Sequence, residues 1–211
     1  LVTYIEGDVE LTRKWYDAKG QYHACIMYTS NLYKEYNVPS KQGTTTNIQV
    51  GNSADPSNNH LEALEKLLPF KNDDICIYVP LSYGDKKHAQ AVIQQGQQWF
   101  GDKFKPLTEF MPFDKYLSLL GTIDIAIFNH RRQQAMGNTI TLLGLGKTVY
   151  MRSDTTQWQF FKEKEIVVGD VEAINNLVVL NVSENQEKVK QYFSKENFIN
   201  QLKGIFYGIS N

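Results

Sequence analysis

Short apolar runs alternate with helical apolar stripes along this chain from Thr46 onward. The runs have the length and composition of buried strands, and segments of helical character separate them. Strands that alternate with helices in this way predict an α/β fold, with a parallel sheet and crossover helices. The strand candidates are Asn47–Val50, Ile75–Pro80, Lys103–Leu107, Ile123–Phe128, Thr148–Arg152 and Ile166–Val168.

Between the strands, apolar residues recur at the spacing of one helical face. Asp85 is a candidate amino-terminal cap for the clearest of these helices. Its apolar face consists of Ala89, Val92, Ile93, Gly96, Trp99 and Phe100. Similar stripes occur at Leu61, Leu64, Leu67 and Leu68, and at Tyr116, Leu117 and Leu120. We interpret these positions as core residues of helices that pack on the sheet.

The two ends of the chain differ from this alternating part. The first 45 residues include a capped helix at about Asp8–Lys19, ending at Gly20, and then a polar stretch at Pro39–Thr46 that is typical of a linker. After Ser183 the chain becomes polar and helical, and its apolar stripe predicts two packing helices. The expected division is therefore residues 1–45, 46–182 and 183–211.

Composition and charge narrow the classes of function. A chain of 211 residues with 42% hydrophobic positions is long enough to bury a substantial core. Its net charge of −1 gives no general attraction to nucleic acid, so any phosphate-binding charge must be local. The longest apolar runs are shorter than the ~20 residues that span a bilayer. Cys25 and Cys76 lack the spacing of a zinc site, and we interpret both as buried free thiols in a reducing compartment.

Two loops at the predicted carboxyl ends of strands could bind an anion. In a doubly wound sheet, ligands bind at these ends. The first loop, residues 51–60, starts with Gly51, which permits close backbone approach, while Asn52 and Ser53 offer hydrogen-bond donors. This combination suits a diphosphate. An ordinary turn in which Asn58 or Asn59 caps the next helix explains the same residues.

The second loop, residues 130–139, lies in a window without acidic residues. From Ile125 to Ser153 there is no Asp or Glu, and the cationic residues there are Arg131, Arg132, Lys147 and Arg152. Two guanidinium groups beside a helix that starts at Asn138 or Thr139 would hold an anion through bidentate hydrogen bonds and the helix dipole. A solvated pair of surface arginines is the alternative.

Several common catalytic motifs are absent from the sequence. No GxGxxG follows a strand, no Asp-x-Asp pair is present to hold a metal against a diphosphate, and no GxSxG elbow occurs. The GKT at Gly146 leads into a predicted strand, unlike a phosphate-binding P-loop. His60, His88 and His130 are far apart in the sequence, and we interpret them as structural or hydrogen-bonding residues.

The two loops and their contexts resemble the 4-alpha-L-fucosyltransferase family, glycosyltransferase family 56. The resemblance rests on the strings GNSADPSNNHLEALEKL, IYVPLSYG and FDKYLSLLGTIDIAIFNHRRQQAMGNTITLLGLGKTVYMR, followed by Trp158, and it covers roughly Asn47–Phe161. It implies a Rossmann-like parallel sheet with flanking helices, the carboxyl-terminal, donor-binding domain of a GT-B glycosyltransferase. By position, the resemblance assigns two groups of residues to the donor diphosphate. One side is lined by Gly51, Asn52, Ser53, Asn58 and His60, and the other side by Arg132, Gln133, Gln134, Gly137 and Thr139. The resemblance places at the nucleobase Phe110, Met111 and Phe113.

The resemblance also implies a reaction. A member of this family transfers 4-acetamido-4,6-dideoxygalactose from a dTDP donor to a lipid-linked saccharide in the synthesis of enterobacterial common antigen, a surface polysaccharide. The partners expected here are therefore a dTDP-sugar donor and a lipid-linked saccharide acceptor, with no nucleic acid and no metal or other cofactor. The expected location is cytoplasmic, peripheral on the inner face of the cytoplasmic membrane.

The donor nucleotide and the leaving group follow from the same comparison. Many GT-B enzymes have a Glu in the helix after the Gly-rich turn, and this Glu binds the ribose hydroxyls. Residues 139–146 of this chain contain no acidic residue. This favours a deoxyribose in the donor nucleotide, and thus dTDP over UDP. Arg131 or Arg132, the loop N–H groups near Gly51 and the helix start at Asn138 are the candidates to stabilise the departing diphosphate. No residue of this chain suggests the general base, which GT-B enzymes usually take from the amino-terminal domain.

A GT-B enzyme has two Rossmann-like domains, and this chain offers material for one. Because the sequence starts at Leu1 without an initiator Met, we expect residues 1–45 to be the remnant of an amino-terminal domain and a linker. Membrane contact would then come through that missing domain. The chain alone is expected to bind a donor but to transfer poorly. The alternatives are a non-catalytic nucleotide- or anion-binding module and a sugar-nucleotide epimerase of similar architecture.

Overall fold

The computed structural model describes residues 1–39, 41–177, 180 and 182–208. Its strands are β1 (Val2–Thr3), β2 (His23–Ala24), β3 (Thr46–Val50), β4 (Ile75–Pro80), β5 (Phe104–Leu107), β6 (Ile125–Phe128), β7 (Thr148–Met151) and β8 (Gly169–Asp170). Its α-helices are α1 (Glu6–Tyr16), α2 (His60–Leu67), α3 (Lys86–Phe100), α4 (Phe113–Thr122), α5 (Met136–Gly144), α6 (Thr156–Glu163), α7 (Asn185–Tyr192) and α8 (Lys195–Tyr207).

The described residues form a six-stranded parallel sheet in the order β5-β4-β3-β6-β7-β8. The chain winds outward from β3 in one direction and then returns to start again at β6, which pairs with β3. In such sheets a crevice opens at the carboxyl ends of the two central strands. Val50 lies in register with Ile127, so the loops that follow β3 and β6 leave the sheet side by side.

The sheet has a hydrophobic core on each face. Side chains that alternate along a strand point to opposite faces, so Ala126 and Phe128 join one core while Ile125 and Ile127 join the other. Helices α2 and α3 cover the second core, and α5, α6 and α7 cover the first. Every residue of β6 is buried, which explains why its sequence is a continuous apolar run.

Most of the predicted elements are confirmed, including the two helices after Ser183. The Asp85 carboxylate caps α3 as expected, because Oδ1 accepts a hydrogen bond from the His88 amide at 2.7 Å. Helix α1 ends earlier than predicted: Asp17 adopts a left-handed conformation with φ 49°, so Gly20 lies beyond the helix. Helix α6 is absent from the prediction, although the Thr155 hydroxyl caps it by accepting from the Trp158 amide.

The prediction of the last strand at Ile166–Val168 was wrong: β8 begins three residues later and ends two residues later. Ile166 and Val168 are buried in the core beside the sheet, and pairing with β7 begins at Gly169, opposite Tyr150. A β-carbon on Gly169 would lie 2.4 Å from the Tyr150 ring. Only glycine therefore allows the backbone to approach β7 closely enough for pairing.

The first 31 residues pack against the same core as the sheet. Strands β1 and β2 form a small parallel pair, and α1 lies on α6, where Asp8 Oδ1 accepts from the Thr156 hydroxyl at 2.6 Å. Tyr4, Ile5 and Ile26 belong to the first core. The division into residues 1–45, 46–182 and 183–211 stays a prediction.

Cys25 and Cys76 are free, and Cys25 is buried whereas Cys76 is partly exposed. Among the described residues, no helix combines the length and the apolar character needed to cross a membrane.

Candidate functional site

The loops after β3 and β6 meet at the central crevice, as the sequence predicted. We call residues 51–59 the β3 loop and residues 129–135 the β6 loop. The Gly51 amide donates to the Ile127 carbonyl at 3.0 Å, directly between the two strand ends. Farther out, Asn59 Nδ2 donates to the Asn129 carbonyl at 2.9 Å. The Ser57 hydroxyl oxygen and the side-chain amide of Gln134 lie within hydrogen-bond distance, at 2.7 Å. The two loops therefore form one connected surface.

Asn58 organises the β3 loop from beneath. Its side chain is fully buried, and its Oδ1 accepts from the Asn52 amide and from His130 Nε2, each at 2.9 Å. Its Nδ2 donates to the Asp55 carbonyl at 2.9 Å. Because an amide oxygen only accepts, the hydrogen of the His130 ring lies on Nε2. A residue of the β6 loop thus fixes the shape of the β3 loop.

The backbone N–H groups near Gly51 are mostly engaged inside the protein. Gly51 donates to Ile127, Asn52 donates to Asn58, and the Ala54 amide donates to the Tyr83 carbonyl at 2.7 Å. The expectation that these N–H groups stabilise a leaving group therefore needs correction. In this turn, within the described part of the chain, only the Ser53 amide keeps no hydrogen-bond partner.

The amino end of α5 offers the free N–H groups that the β3 loop lacks. The helix begins at Met136, earlier than the predicted start at Asn138 or Thr139, and its cap residue Ala135 has a left-handed φ of 57° without a side-chain cap. The first intrahelical bond runs from the Thr139 amide to the Ala135 carbonyl. The preceding amides, including those of Gly137 and Asn138, therefore face the crevice end of the helix, where the dipole is positive.

Three of the four cationic residues in the window 125–153, which we call the cationic window, are engaged by other groups of the protein. Arg131 pairs with Glu62 at 3.2 Å, and Arg152 pairs with the carboxylates of Glu62, Asp154 and Glu172. The Lys147 ammonium donates to a backbone carbonyl at the opposite edge of the sheet, where β7 begins. Arg131 and Arg152 are therefore held by carboxylates that lie outside the window.

Arg132 is the exception in this window. Among the described residues it has no ion pair, and its side chain is exposed at the crevice. Asp55 lies close enough for an electrostatic effect: the hydroxyl and amide of Ser57 lower the pKa of the Asp55 carboxyl, and Arg132 lowers it further. Arg132 is thus the cation most available to a bound anion.

A cavity of about 240 Å³ lies beside the β3 loop and the amino end of α5. It brings together Phe110, Met111 and Phe113 with Asn52 of the β3 loop and Asn138 of α5. Phe110 is 84% exposed, which is unusual for a large apolar side chain without a ligand or partner. The predicted nucleobase residues therefore share a cavity with a residue of the β3 loop and a residue of α5.

Sequence reasoning missed Tyr116, which joins the cavity to the sheet. Its hydroxyl donates to Asn138 Oδ1 at 3.1 Å and accepts from Gln49 Nε2 at 3.4 Å. Burial raises the pKa of Tyr116 to about 12, so the phenol keeps its hydrogen at neutral pH. Since Oδ1 of Asn138 accepts from Tyr116, its Nδ2 remains as a donor toward a ligand. Nearby, Asn52 Oδ1 is buried without a hydrogen-bond partner among the described residues.

Some residues that the resemblance placed along the diphosphate lie beneath the crevice. Ser53, Asn58, His60 and Thr139 are each at most 3% exposed. Half-buried at the crevice are Asn52, Gln133, Gln134, Gly137 and Asn138. The buried group lies beneath the surface, whereas the half-buried group and Arg132 are accessible from the crevice.

Burial keeps His60 and His130 neutral near neutral pH. Burial lowers the pKa of His60 to about 3, with a smaller contribution from His88. Burial and the nearby Arg132 lower the pKa of His130 to about 4. Neither ring therefore supplies a positive charge to an anion near neutral pH. In the described ranges, no three His, Cys, Asp or Glu side chains are grouped so that they could hold a metal ion.

A sequence model of the family described as 4-alpha-L-fucosyltransferase glycosyl transferase group 56 matches residues 3–204. The match extends well beyond the Asn47–Phe161 stretch on which the resemblance rested, into both ends of the chain.

Solved glycosyltransferase structures share the fold. Sucrose-phosphate synthase from Thermosynechococcus elongatus superposes with a TM-score of 0.70 at 12% identity, over 98% of this chain and 57% of that one. WaaG, a glycosyltransferase involved in lipopolysaccharide biosynthesis, superposes with a TM-score of 0.63 at 14% identity, over 99% of this chain and 63% of that one. This chain therefore spans less than two thirds of either protein.

A third structure is the C-terminal domain of a group 1 family glycosyl transferase, LpcC, from Francisella tularensis. It gives a TM-score of 0.52 at 14% identity, over 86% of this chain and 98% of that domain. The expected fold, the Rossmann-like parallel sheet and flanking helices of GT-B glycosyltransferases, is confirmed by these likenesses.

Proposed function

The chain belongs to the 4-alpha-L-fucosyltransferase glycosyl transferase group 56 family, and from this premise we propose that it binds the sugar-nucleotide donor of a glycosyl transfer reaction. The supporting observation is the convergence of three features at the carboxyl edge of the sheet. These are the amino end of α5, which has no side-chain cap, Arg132, which has no ion pair among the described residues, and the aromatic cavity that holds Phe110. Together they match the diphosphate and the base of a nucleotide.

The proposed donor lies across the crevice from the cavity to α5. Its base stacks on Phe110 beside Met111, since an exposed ring next to a cavity offers a face to an aromatic base. Its diphosphate accepts hydrogen bonds from the free amides at the start of α5 and from the Arg132 guanidinium. Asn52 and Asn138 line the cavity on the side where the sugar would join the base to the diphosphate.

We propose dTDP as the nucleotide. Helix α5 has no carboxylate to accept from a ribose hydroxyl, and beside the cavity it presents the side-chain amide of Asn138, which is bonded to the phenol of Tyr116. Asn138 is oriented to donate, because Tyr116 occupies its oxygen. A 2′-hydroxyl therefore finds no carboxylate acceptor on α5, which favours a deoxyribose.

Our proposal for the sugar, the acceptor and the location rests on the resemblance to this family. The proposed reaction moves an amino-deoxy sugar of the 4-acetamido-4,6-dideoxygalactose type from the dTDP donor to a lipid-linked saccharide in surface polysaccharide synthesis. Because that acceptor is held in a membrane, the complete enzyme would work on the inner face of the cytoplasmic membrane. Residues outside this chain would supply the acceptor contacts and the general base.

During transfer, the bond from the sugar to the diphosphate breaks and negative charge grows on the departing phosphate oxygen. Arg132 and the α5 amides stand where they would stabilise that charge without rearrangement. Arg131 would assist only after leaving Glu62.

Calorimetric titration of the chain with dTDP, dUDP and UDP tests this proposal. We expect dTDP to bind more tightly than UDP, with dUDP close to dTDP if the missing 2′-hydroxyl decides the preference. A clear preference for UDP would contradict the assignment of dTDP, and the absence of binding by all three would contradict donor binding itself.

A further inference from the structure

The loop after β4 supports the β3 loop through its backbone. The Asp85 amide donates to the Ala54 carbonyl at 3.2 Å, and the Ala54 amide donates back to Tyr83. Gly84 has φ +115°, and a β-carbon there would lie 2.7 Å from the Ala54 carbonyl carbon. The two loops therefore run against each other at a separation that only glycine permits.

A pair of histidines connects the first turns of α2 and α3, the helices that follow these two loops. His60 Nδ1 and His88 Nε2 lie 3.0 Å apart, so one nitrogen donates and the other accepts. His88 stands in the first turn of α3, where the Asp85 carboxylate holds its amide. His60 has no exposed surface, and its other nitrogen, Nε2, has no hydrogen-bond partner in the described part of the chain. The bond to His88 is thus what orients this buried ring.

The oriented ring lies directly under the turn at Gly51. A β-carbon on Gly51 would be 2.5 Å from His60 Nε2, so the ring edge fills the space that any other residue would need. The next residue, Asn52, lines the cavity, and its buried Oδ1 is without a partner among the described residues. The position of Asn52 against the cavity therefore depends on the orientation of His60.

We infer that His88 is a positioning residue for nucleotide binding: it orients His60 beneath Gly51 and thereby fixes how Asn52 faces the cavity. The inference rests on the proposed binding of a nucleotide at this site, which His88 itself does not touch. Without His88, both ring nitrogens of buried His60 lack partners, and the ring and the turn above it shift to recover a hydrogen bond.

The test compares His88→Leu, which removes the hydrogen bond, with His88→Gln, which can restore it. Lys87→Ala, a change at the exposed neighbouring position, is the matched control. In calorimetric titration with dTDP, we expect His88→Leu to weaken binding about tenfold. We expect His88→Gln to recover most of the affinity and Lys87→Ala to match the unsubstituted chain. A folded His88→Leu chain with undiminished affinity would overturn the inference.

Measurements without nucleotide separate this inference from the proposed function. Amide hydrogen exchange at Asn52 should be faster in His88→Leu than in Lys87→Ala, even if no nucleoside diphosphate binds. Equal exchange in the two variants would overturn the positioning role. If His88→Leu fails to fold, a ¹⁵N–¹⁵N coupling across the hydrogen bond between the two rings decides the matter in the unsubstituted chain. Its presence supports the bond that the inference needs, and its absence overturns it.

Discussion

Nε2 of His60 occupies the space beside Gly51, 2.5 Å from the position of a β-carbon on that glycine. Gly51 also has φ +68°, which strains any other residue. We therefore predict that Gly51→Ala lowers the free energy of unfolding by about 2–4 kcal/mol, through strain and overpacking together. Urea denaturation measures the change.

Gly146 provides the matched control for this prediction. It has a similar φ of +72°, but no heavy atom lies within 4 Å of a β-carbon there. Gly146→Ala should therefore cost only the conformational strain, about 1 kcal/mol. Equal destabilisation by the two substitutions would show that the contact with His60 does not constrain Gly51.

The two buried histidines predict that stability falls in mild acid. The pKa values of His60 and His130 are about 3 and about 4 in the folded chain, below the roughly 6.5 of an unfolded chain. The unfolded chain therefore binds more protons as the pH drops, so their stabilising contribution is complete above about pH 6.5 and is lost toward the folded values. Between about pH 7 and about pH 5, we expect each ring to remove about 2 kcal/mol.

The variant His130→Gln tests this pH dependence. Its side-chain amide can still donate to Asn58 Oδ1, but it does not titrate. Denaturation as a function of pH should show a shallower loss of stability, by about 2 kcal/mol over the same interval. If the stability of the variant falls as steeply with pH as that of the unsubstituted chain, the pKa of His130 is not lowered by folding.

Arg132 and Arg131 are neighbours in sequence but should differ in their effect on nucleotide binding. Arg132 has no ion pair in the described part of the chain, whereas Arg131 is held by Glu62. We predict that Arg132→Gln weakens dTDP binding about tenfold and Arg131→Gln by much less, as measured by calorimetry. In the complete enzyme, removing Arg132 should raise the barrier to transfer by about 2–4 kcal/mol. Full transfer activity of Arg132→Ala would exclude it from leaving-group stabilisation.

Tyr4 ties the first residues of the chain to the β6 loop. Its hydroxyl accepts from Asn31 Nδ2 at 2.9 Å and from Gln133 Nε2 at 3.4 Å. Tyr4→Phe leaves the buried Asn31 amide without this acceptor, and we expect unfolding to become easier by about 1–3 kcal/mol in thermal denaturation. Tyr16→Phe, at a side chain that is 77% exposed, is the control and should change nothing. An unchanged free energy of unfolding in Tyr4→Phe would mean that the hydrogen bonds of the Tyr4 hydroxyl do not stabilise the fold.

The sequence was sufficient where local patterns decide the structure. Strand β6 is buried on both faces, so its apolar run was unambiguous, and Asp85 had the position of a helix cap. Helix α6 was missed because its buried side chains include Gln157, which accepts from the Gln134 amide and interrupts the apolar stripe. The sequence does not show that a polar residue such as Gln157 is buried when a hydrogen bond holds it in the core.

The parts of the site that could not be predicted depend on contacts between distant segments. His60, His88 and His130 come together only because the strand order brings three loops to one edge of the sheet. The cationic window was misleading for the same reason, since the carboxylates that neutralise Arg152 include Glu62 and Glu172, which lie outside the window. A count of charged residues along the sequence does not show which carboxylates the fold brings to each arginine.

The central claim is that one nucleotide spans the aromatic cavity and the amino end of α5. A ¹H–¹⁵N correlation titration of the chain with dTDP tests it most directly. The account predicts saturable shifts of the amides of Asn52, Phe110, Gly137 and Asn138 with a common dissociation constant, and no shifts in α8. Shifts confined to another face of the protein, or none at saturating dTDP, would contradict it.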